Sequence, residues 1–317
     1  MNKLDLSFGE PFILTENIKK FCSPVFKWNY VSYGARSLPE STSNIVLEMI
    51  EKITGIRYKN LIITNGAQDG VNLLTRVMEH GRLRTEADLD LPHYSFHREI
   101  SLKYNDNWYE DLLLSTIPSN PTGSLLPPDY SSIRATLNHI AIWDAAYFSG
   151  NYVQGNLKAL VPEHDYMVGS FGKTFGLTGL RLGWIASNKD LSCVESTQRL
   201  NQLRPNHMSI GIILQVLNVM AQDDWNNLDF FFKLNYNRIQ DNKTAFQPVI
   251  DKYNLQPMPV NGMFYWGGSE QFKADLDKHG VLYVDGIDCG GKNGELRLNM
   301  AVSAEIMQEL VSLILKV

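Results

Sequence analysis

The sequence predicts an α/β protein: a mostly parallel sheet covered by helices, followed by a smaller α+β unit. Three observations carry this. Short apolar runs alternate with helical patterns through the middle of the chain, at Leu61–Thr64, Leu112–Ile117, Ile140–Trp143, Tyr166–Gly169 and Gly183–Ser187, the signature of strands alternating with helices. The pattern changes after Asp223 to a long amphipathic helix reaching about Lys252, then strand-like Met263–Trp266, Val281–Val284 and Glu295–Met300, and a final helix from Ala304. At 317 residues and 44% hydrophobic, the chain can bury a large core.

The elements carry chemistry at their ends. Leu61–Thr64 runs into Asn65-Gly66-Ala67-Gln68-Asp69-Gly70, which opens a helical pattern through Val71, Leu73, Leu74, Val77 and Met78. Free N–H groups and the helix dipole make such a turn an anion site. Leu112–Ile117 leads to Asn120-Pro121-Thr122-Gly123, which by itself reads as an ordinary Pro/Gly turn. Ile140–Trp143 ends in Asp144, followed by Tyr147. A carboxylate at a strand's carboxyl end points into the ligand crevice of an α/β sheet, although alone it could be a helix cap. The segment from Asn206 to Met220 reads as an apolar helix.

The run from Ser170 to Trp184 is the most informative segment. It sets Lys173 among small residues and glycines, with Arg181 eight positions on. Burying an ammonium is costly unless it is paired or neutralised. A lysine that can lose its charge, near an anion-binding arginine, suits a Schiff base to a phosphorylated aldehyde, which describes pyridoxal 5′-phosphate (PLP). A competing reading takes Gly172-Lys173-Thr174 as a phosphate-binding P-loop. That motif needs a glycine where Met167 stands.

In this order the segments resemble the fold-type I PLP enzymes, specifically the class I/II aminotransferases. The resemblance spans nearly the whole chain, from Leu6-Ser7-Phe8-Gly9-Glu10-Pro11 to Leu296-Arg297-Leu298-Asn299-Met300-Ala301. It implies a seven-stranded-type sheet in a large domain, residues 36–222, and a small domain made of residues 1–35 and 223–317. It also implies roles. Lys173 matches the Schiff-base lysine and general base. Asp144 matches the carboxylate facing the pyridine nitrogen, and Tyr147 and Asn120 the partners of the ring oxygen. Gly66, Ala67 and Gln68 match the phosphate turn, with Ser170 and Arg181 as side-chain partners. Tyr94 matches the aromatic stacked on the ring. Tyr33 matches a tyrosine that reaches the neighbouring subunit's phosphate, so a homodimer is expected. Arg297 matches the clamp on the substrate α-carboxylate, with Asn120 and Gly9 beside it.

The expected activity is transamination between an α-amino acid and a 2-oxo acid. A lyase, decarboxylase or racemase on the same fold is the alternative, since fold does not fix reaction. Phe8, Phe12, Arg204 and His207 are candidates for recognising the substrate side chain. The chain departs from the family in the short intervals from Tyr94 to Asn120 and from Gly123 to Asp144.

Composition narrows the rest. A net charge of −5 argues against a nucleic-acid footprint. Cys22, Cys193 and Cys289 are too few and scattered for a disulfide framework, and no Cys/His spacing suggests a metal site. No apolar run approaches the ~20 residues of a membrane helix, and residues 1–11 lack a signal-peptide layout. A cytoplasmic protein is expected.

Overall fold

The computed structural model describes residues 4–25, 40–78, 83–85, 91–103, 112–125, 140–154, 165–201 and 204–316. Their helices are α1 Phe12–Phe21, α2 Glu40–Thr54, α3 Ala67–Val77, α4 Ser95–Lys103, α5 Phe171–Phe175, α6 Ser192–Leu200, α7 His207–Met220, α8 Asn226–Tyr253, α9 Glu270–Lys278 and α10 Ala304–Leu315. The strands are β1 Asn60–Thr64, β2 Leu83–Thr85, β3 Leu112–Thr116, β4 Ile140–Asp144, β5 Tyr166–Ser170, β6 Gly183–Ser187, β7 Phe264–Gly267, β8 Val284–Asp285 and β9 Leu296–Asn299.

Among the described residues, six strands form the main sheet in the order β1-β6-β5-β4-β3-β2. The sequence reading expects seven, and it has no counterpart for the three-residue β2. Strand β6 runs antiparallel to both neighbours, while β2 to β5 pair in parallel. The sheet is buried on both faces, which is why its strands read as continuous apolar runs rather than alternating ones. Side chains nevertheless alternate between two cores, as the pleat requires. Leu112, Leu114, Ile142, Val168 and Ile185 pack with Val71, Leu73 and Leu74 of α3. Leu113, Trp143, Met167 and Trp184 face a larger core with Val46 and Met49 of α2 and Val216 and Leu217 of α7.

Strands β7, β9 and β8 form a second, antiparallel sheet. The strand expected over Val281–Val284 is shorter and later. Leu282 gives its backbone bonds to the start of the chain instead, accepting from Leu6 N at 2.9 Å and donating to Leu4 O at 2.8 Å. Asp285 then caps a 3₁₀ turn over Gly286–Cys289, which ends the strand. The long α8 packs against α10 and α1. Phe231 sits where these layers meet, fully buried, edge-on to Phe21 at 5.5 Å and beside Phe175 at 6.1 Å.

The register brings the chemistry to one edge. Thr64 and Ser170 both lie opposite Gly183, and Thr116 lies opposite Asp144. Gly183 is required there. A Cβ on it would stand 2.5 Å from Gly169 O and 2.8 Å from Ala67 N, inside both β5 and the turn after β1.

Truncating Phe231 to alanine removes the ring shared by α8, α1 and α5. We expect a loss of about 3–5 kcal/mol in denaturant unfolding; a loss below about 1 kcal/mol would contradict this packing.

Candidate active site

A cavity of about 240 Å³ opens at that edge. Gly9, Gly66, Ala67, Gln68, Tyr94, Asn120, Asp144, Tyr147, Ser170, Lys173, Arg181 and Arg297 all line it. These are the residues that the resemblance assigns to cofactor and substrate carboxylate; the remaining one, Tyr33, lies outside the described residues. Of the candidates for recognising a substrate side chain, Phe8, Phe12, Arg204 and His207 do not line the cavity.

The turn after β1 brings Gly66, Ala67 and Gln68 to the rim. Gly66 adopts φ 93°, a left-handed-side conformation open to glycine, and starts α3. Its missing Cβ leaves room beside Arg181 Nη2, which would lie 3.6 Å from that atom. Gln68 Nε2 donates to the Tyr94 hydroxyl at 2.7 Å, tying the turn to the aromatic across the cavity. Burial pushes the Tyr94 hydroxyl up to about 12, so it stays protonated.

Strand β5 delivers Ser170 and Lys173. Ser170 caps α5, its hydroxyl accepting from Lys173 N at 3.4 Å. The Lys173 amine donates to Gly9 O at 2.5 Å and lies 5.5 Å from the centre of the Tyr147 ring. Burial lowers its pKa to about 8; Glu10 opposes that shift, and Arg181 and Arg297 add to it. Tyr147 donates to the same Gly9 oxygen at 3.3 Å, and burial raises its hydroxyl to about 12.

Strand β4 ends at Asp144, which is 4% exposed. One carboxylate oxygen accepts from Ala146 N at 3.0 Å, and the other lies 3.2 Å from His97 Nε2. His97 is fully buried on α4 and sits edge-on to Tyr94 at 5.8 Å. Thr116 Oγ1 lies 3.3 Å from its other ring nitrogen. Sequence reasoning missed His97 and Thr116. No local pattern marks either, because His97 meets Asp144, and Thr116 meets His97, only when the fold brings distant parts of the chain together.

Arg297 reaches the cavity from β9. Its Nη1 donates to Asn120 Oδ1 at 2.9 Å and its Nη2 to Ser7 O at 3.0 Å, and the guanidinium lies 4.3 Å over the Phe264 ring. Its Nε is buried without a hydrogen-bond partner, an unspent donor in a cavity that already concentrates positive charge.

These groups fit PLP. Backbone N–H groups at the start of α3, the Ser170 hydroxyl and the Arg181 guanidinium suit a phosphate. A protonated tyrosine and an asparagine suit a ring oxygen, a buried carboxylate suits a ring N–H, and a lysine with lowered pKa suits an aldehyde. Among the described residues, no group of His, Cys, Asp and Glu could hold a metal ion, and no helix is long and apolar enough to cross a membrane.

Comparison with known proteins agrees. The family model described as aminotransferase class I and II matches residues 100–314. A histidinol-phosphate aminotransferase of Methanosarcina mazei is 28% identical over 178 residues, which covers 48% of this chain and 47% of that protein. One from Thermoanaerobacter pseudethanolicus is 22% identical, covering 92% of this chain and 86% of its own length. Among solved structures, an aspartate aminotransferase mutant of Thermus thermophilus shares the fold with a TM-score of 0.76 at 15% identity, covering 99% of this chain and 96% of its own. With the family model spanning two thirds of the sequence, including Asp144, Lys173, Arg181 and Arg297, the chain belongs to the class I and II aminotransferases, enzymes that work with pyridoxal 5′-phosphate.

Proposed function

We propose that the protein moves an amino group from an α-amino acid to a 2-oxo acid in two half-reactions, with Lys173 as the reactive residue. The observation that carries this reading is the meeting, in one cavity, of an amine lowered to about 8, a buried carboxylate and two arginines. When bound, PLP supplies an aldehyde that condenses with amines and a ring that accepts the electron pair left at a substrate Cα.

The residues divide the remaining work. Gly66 and Ala67 present N–H groups to the phosphate, joined by Ser170 and Arg181. Tyr94, braced by Gln68, would offer its ring as the aromatic surface for the cofactor. Asp144 holds a proton on the ring nitrogen; Ala146 N–H and His97 fix its carboxylate for that task. Tyr147 and Asn120 donate to the ring oxygen. Arg297 grips the substrate carboxylate as two parallel hydrogen bonds, which would give its unpartnered Nε an acceptor. With PLP bound, the Lys173 amine would hold the aldehyde and, when free, would serve as the base that takes up the substrate Cα proton. With a pKa of about 8 it is easily relieved of its charge near neutral pH.

In the same reading, residues 36–222 form the large domain and residues 1–35 with 223–317 the small one. The pairing of Leu4 and Leu6 with Leu282, and of Leu6 with Asn299, supports joining the chain's start to its final third. The free cysteines Cys22, Cys193 and Cys289 suit a reducing cytoplasm. Tyr33 completes the phosphate site of a second copy in a homodimer. Light scattering at assay concentration is expected to give twice the 36.0 kDa chain mass; a fully active monomer would exclude the shared site.

Two further outcomes are expected. With PLP added, the protein should gain a visible absorption band that amino acids bleach and 2-oxo acids restore, and Lys173→Ala should lose both the band and borohydride-trapped cofactor. Release of ammonia or carbon dioxide without that cycle would replace transamination by a lyase or decarboxylase reaction. Arg297→Ala should raise the KM for the amino acid about 10- to 100-fold, the worth of a lost charged hydrogen-bonding pair; an unchanged KM would remove Arg297 from carboxylate binding.

A further inference from the structure

The helix that carries Lys173 is only five residues long, Phe171–Phe175. So short a helix leaves its carbonyls without partners of its own, and a lysine on a loose turn would wander. Here three distant side chains take those carbonyls. Tyr152 donates to Lys173 O at 2.6 Å, Asn151 to Thr174 O at 2.8 Å, and Thr15 to Gly176 O at 2.6 Å. Gly176, at φ 73°, has no room for a side chain, because a Cβ would meet the backbone of Leu14 and Thr15 in α1.

Asn151 is the inner end of a longer chain of amides. Its Oδ1 accepts from Asn235 Nδ2 at 3.0 Å, and Asn235 Oδ1 accepts from Asn17 Nδ2 at 2.8 Å. Asn17 Oδ1 in turn accepts from the exposed Lys20 amine at 2.8 Å. Asn151 and Asn235 are fully buried and Asn17 is 6% exposed. All these hydrogen bonds run in one sense, from Lys20 on α1, through α8, to the carbonyl next to Lys173. Aligned donors polarise one another, so each link strengthens the next. Three buried amides are costly unless fully satisfied, and apolar residues could have filled the space.

We infer that Asn17, Asn235 and Asn151 are positioning residues: a buried amide relay that clamps the backbone of the Lys173 helix and so fixes the amine in the cavity. The inference rests on Lys173 being the reactive residue. It also ties the reactive amine to α1, which begins directly after the segment bearing Gly9.

The test is pulse acetylation of the full chain without cofactor, with the Lys173 peptide quantified by mass spectrometry from about pH 6 to about pH 11. Below its pKa the amine is protonated and inert to acetic anhydride, so labelling rises through the pKa. In the unsubstituted protein the midpoint is expected near 8. Asn151→Ala should free the helix, admit water and raise the midpoint by about one unit or more. Asn17→Ala, at the far end and least disruptive to folding, should raise it less but in the same direction. Asn242→Ala is the structural control. It removes a buried α8 asparagine bonded to Met300 O and Val302 O, away from the Lys173 helix. It should lower Tm and leave the midpoint unchanged. In the loaded enzymes, kcat should fall about tenfold or more for Asn151→Ala with KM little altered. Equal midpoints for Asn151→Ala, Asn17→Ala and the unsubstituted protein would overturn the relay and leave a structural polar core. Failure of borohydride to trap PLP on Lys173 would instead sink the functional reading, whatever the midpoints.

Discussion

The amine of Lys173 rests against the carbonyl of Gly9 in a cavity that already holds two guanidinium groups. Water would solvate an ammonium there far better than the protein does, and that deficit lowers its pKa to about 8. Much of the surrounding structure serves to maintain this arrangement. The segment around Gly9 must lie across the cavity, so Arg297 and Asn299 hold its carbonyls at Ser7, Phe8 and Glu10. The backbone under Lys173 must not yield, so its carbonyls are taken by Tyr152, Asn151 and Thr15.

Negative charge in the site is as carefully confined. Asp144 lines the cavity and is held on both carboxylate oxygens. Glu10 stands behind Lys173 and is occupied by the Thr178 hydroxyl at 2.8 Å. The remaining charged groups lining the space, Lys173, Arg181 and Arg297, are cationic. A ligand carrying both a phosphate and a carboxylate, the pair formed by cofactor and substrate, balances that excess.

Much of this was legible in the sequence because sheet geometry turns strand ends into site positions. Asp144 and Ser170 end apolar runs, and Gly66 and Arg181 flank them, so a linear pattern predicted a spatial cluster. Side chains that act on another side chain gave no such signal. His97 looks like one more residue of a short helix until β4 sets Asp144 beside it. Asn17, Asn151 and Asn235 are separated by 218 and 84 positions along their two links, and a lone asparagine reads as surface or turn. Arg204 and His207 show the converse: charge suggested a role in the pocket, but neither lines the cavity, and His207 opens α7. Strand β8 shrank because Leu282 found its backbone partners at the other end of the chain.

That last pairing bears on how the protein comes into being. Gly9 precedes Lys173 along the chain, and Arg297 and Asn299 follow it. The carbonyls of Ser7 and Phe8 gain their side-chain partners, and that of Glu10 its partner beyond Phe12 N–H, only once β9 has been made. The strands of the main sheet all precede β9, so that sheet can assemble while the cavity is still open to water. The segment around Gly9 is held across the cavity only when β9 joins it, so a polypeptide that stops short of β9 carries Lys173 without the enclosure that tunes it.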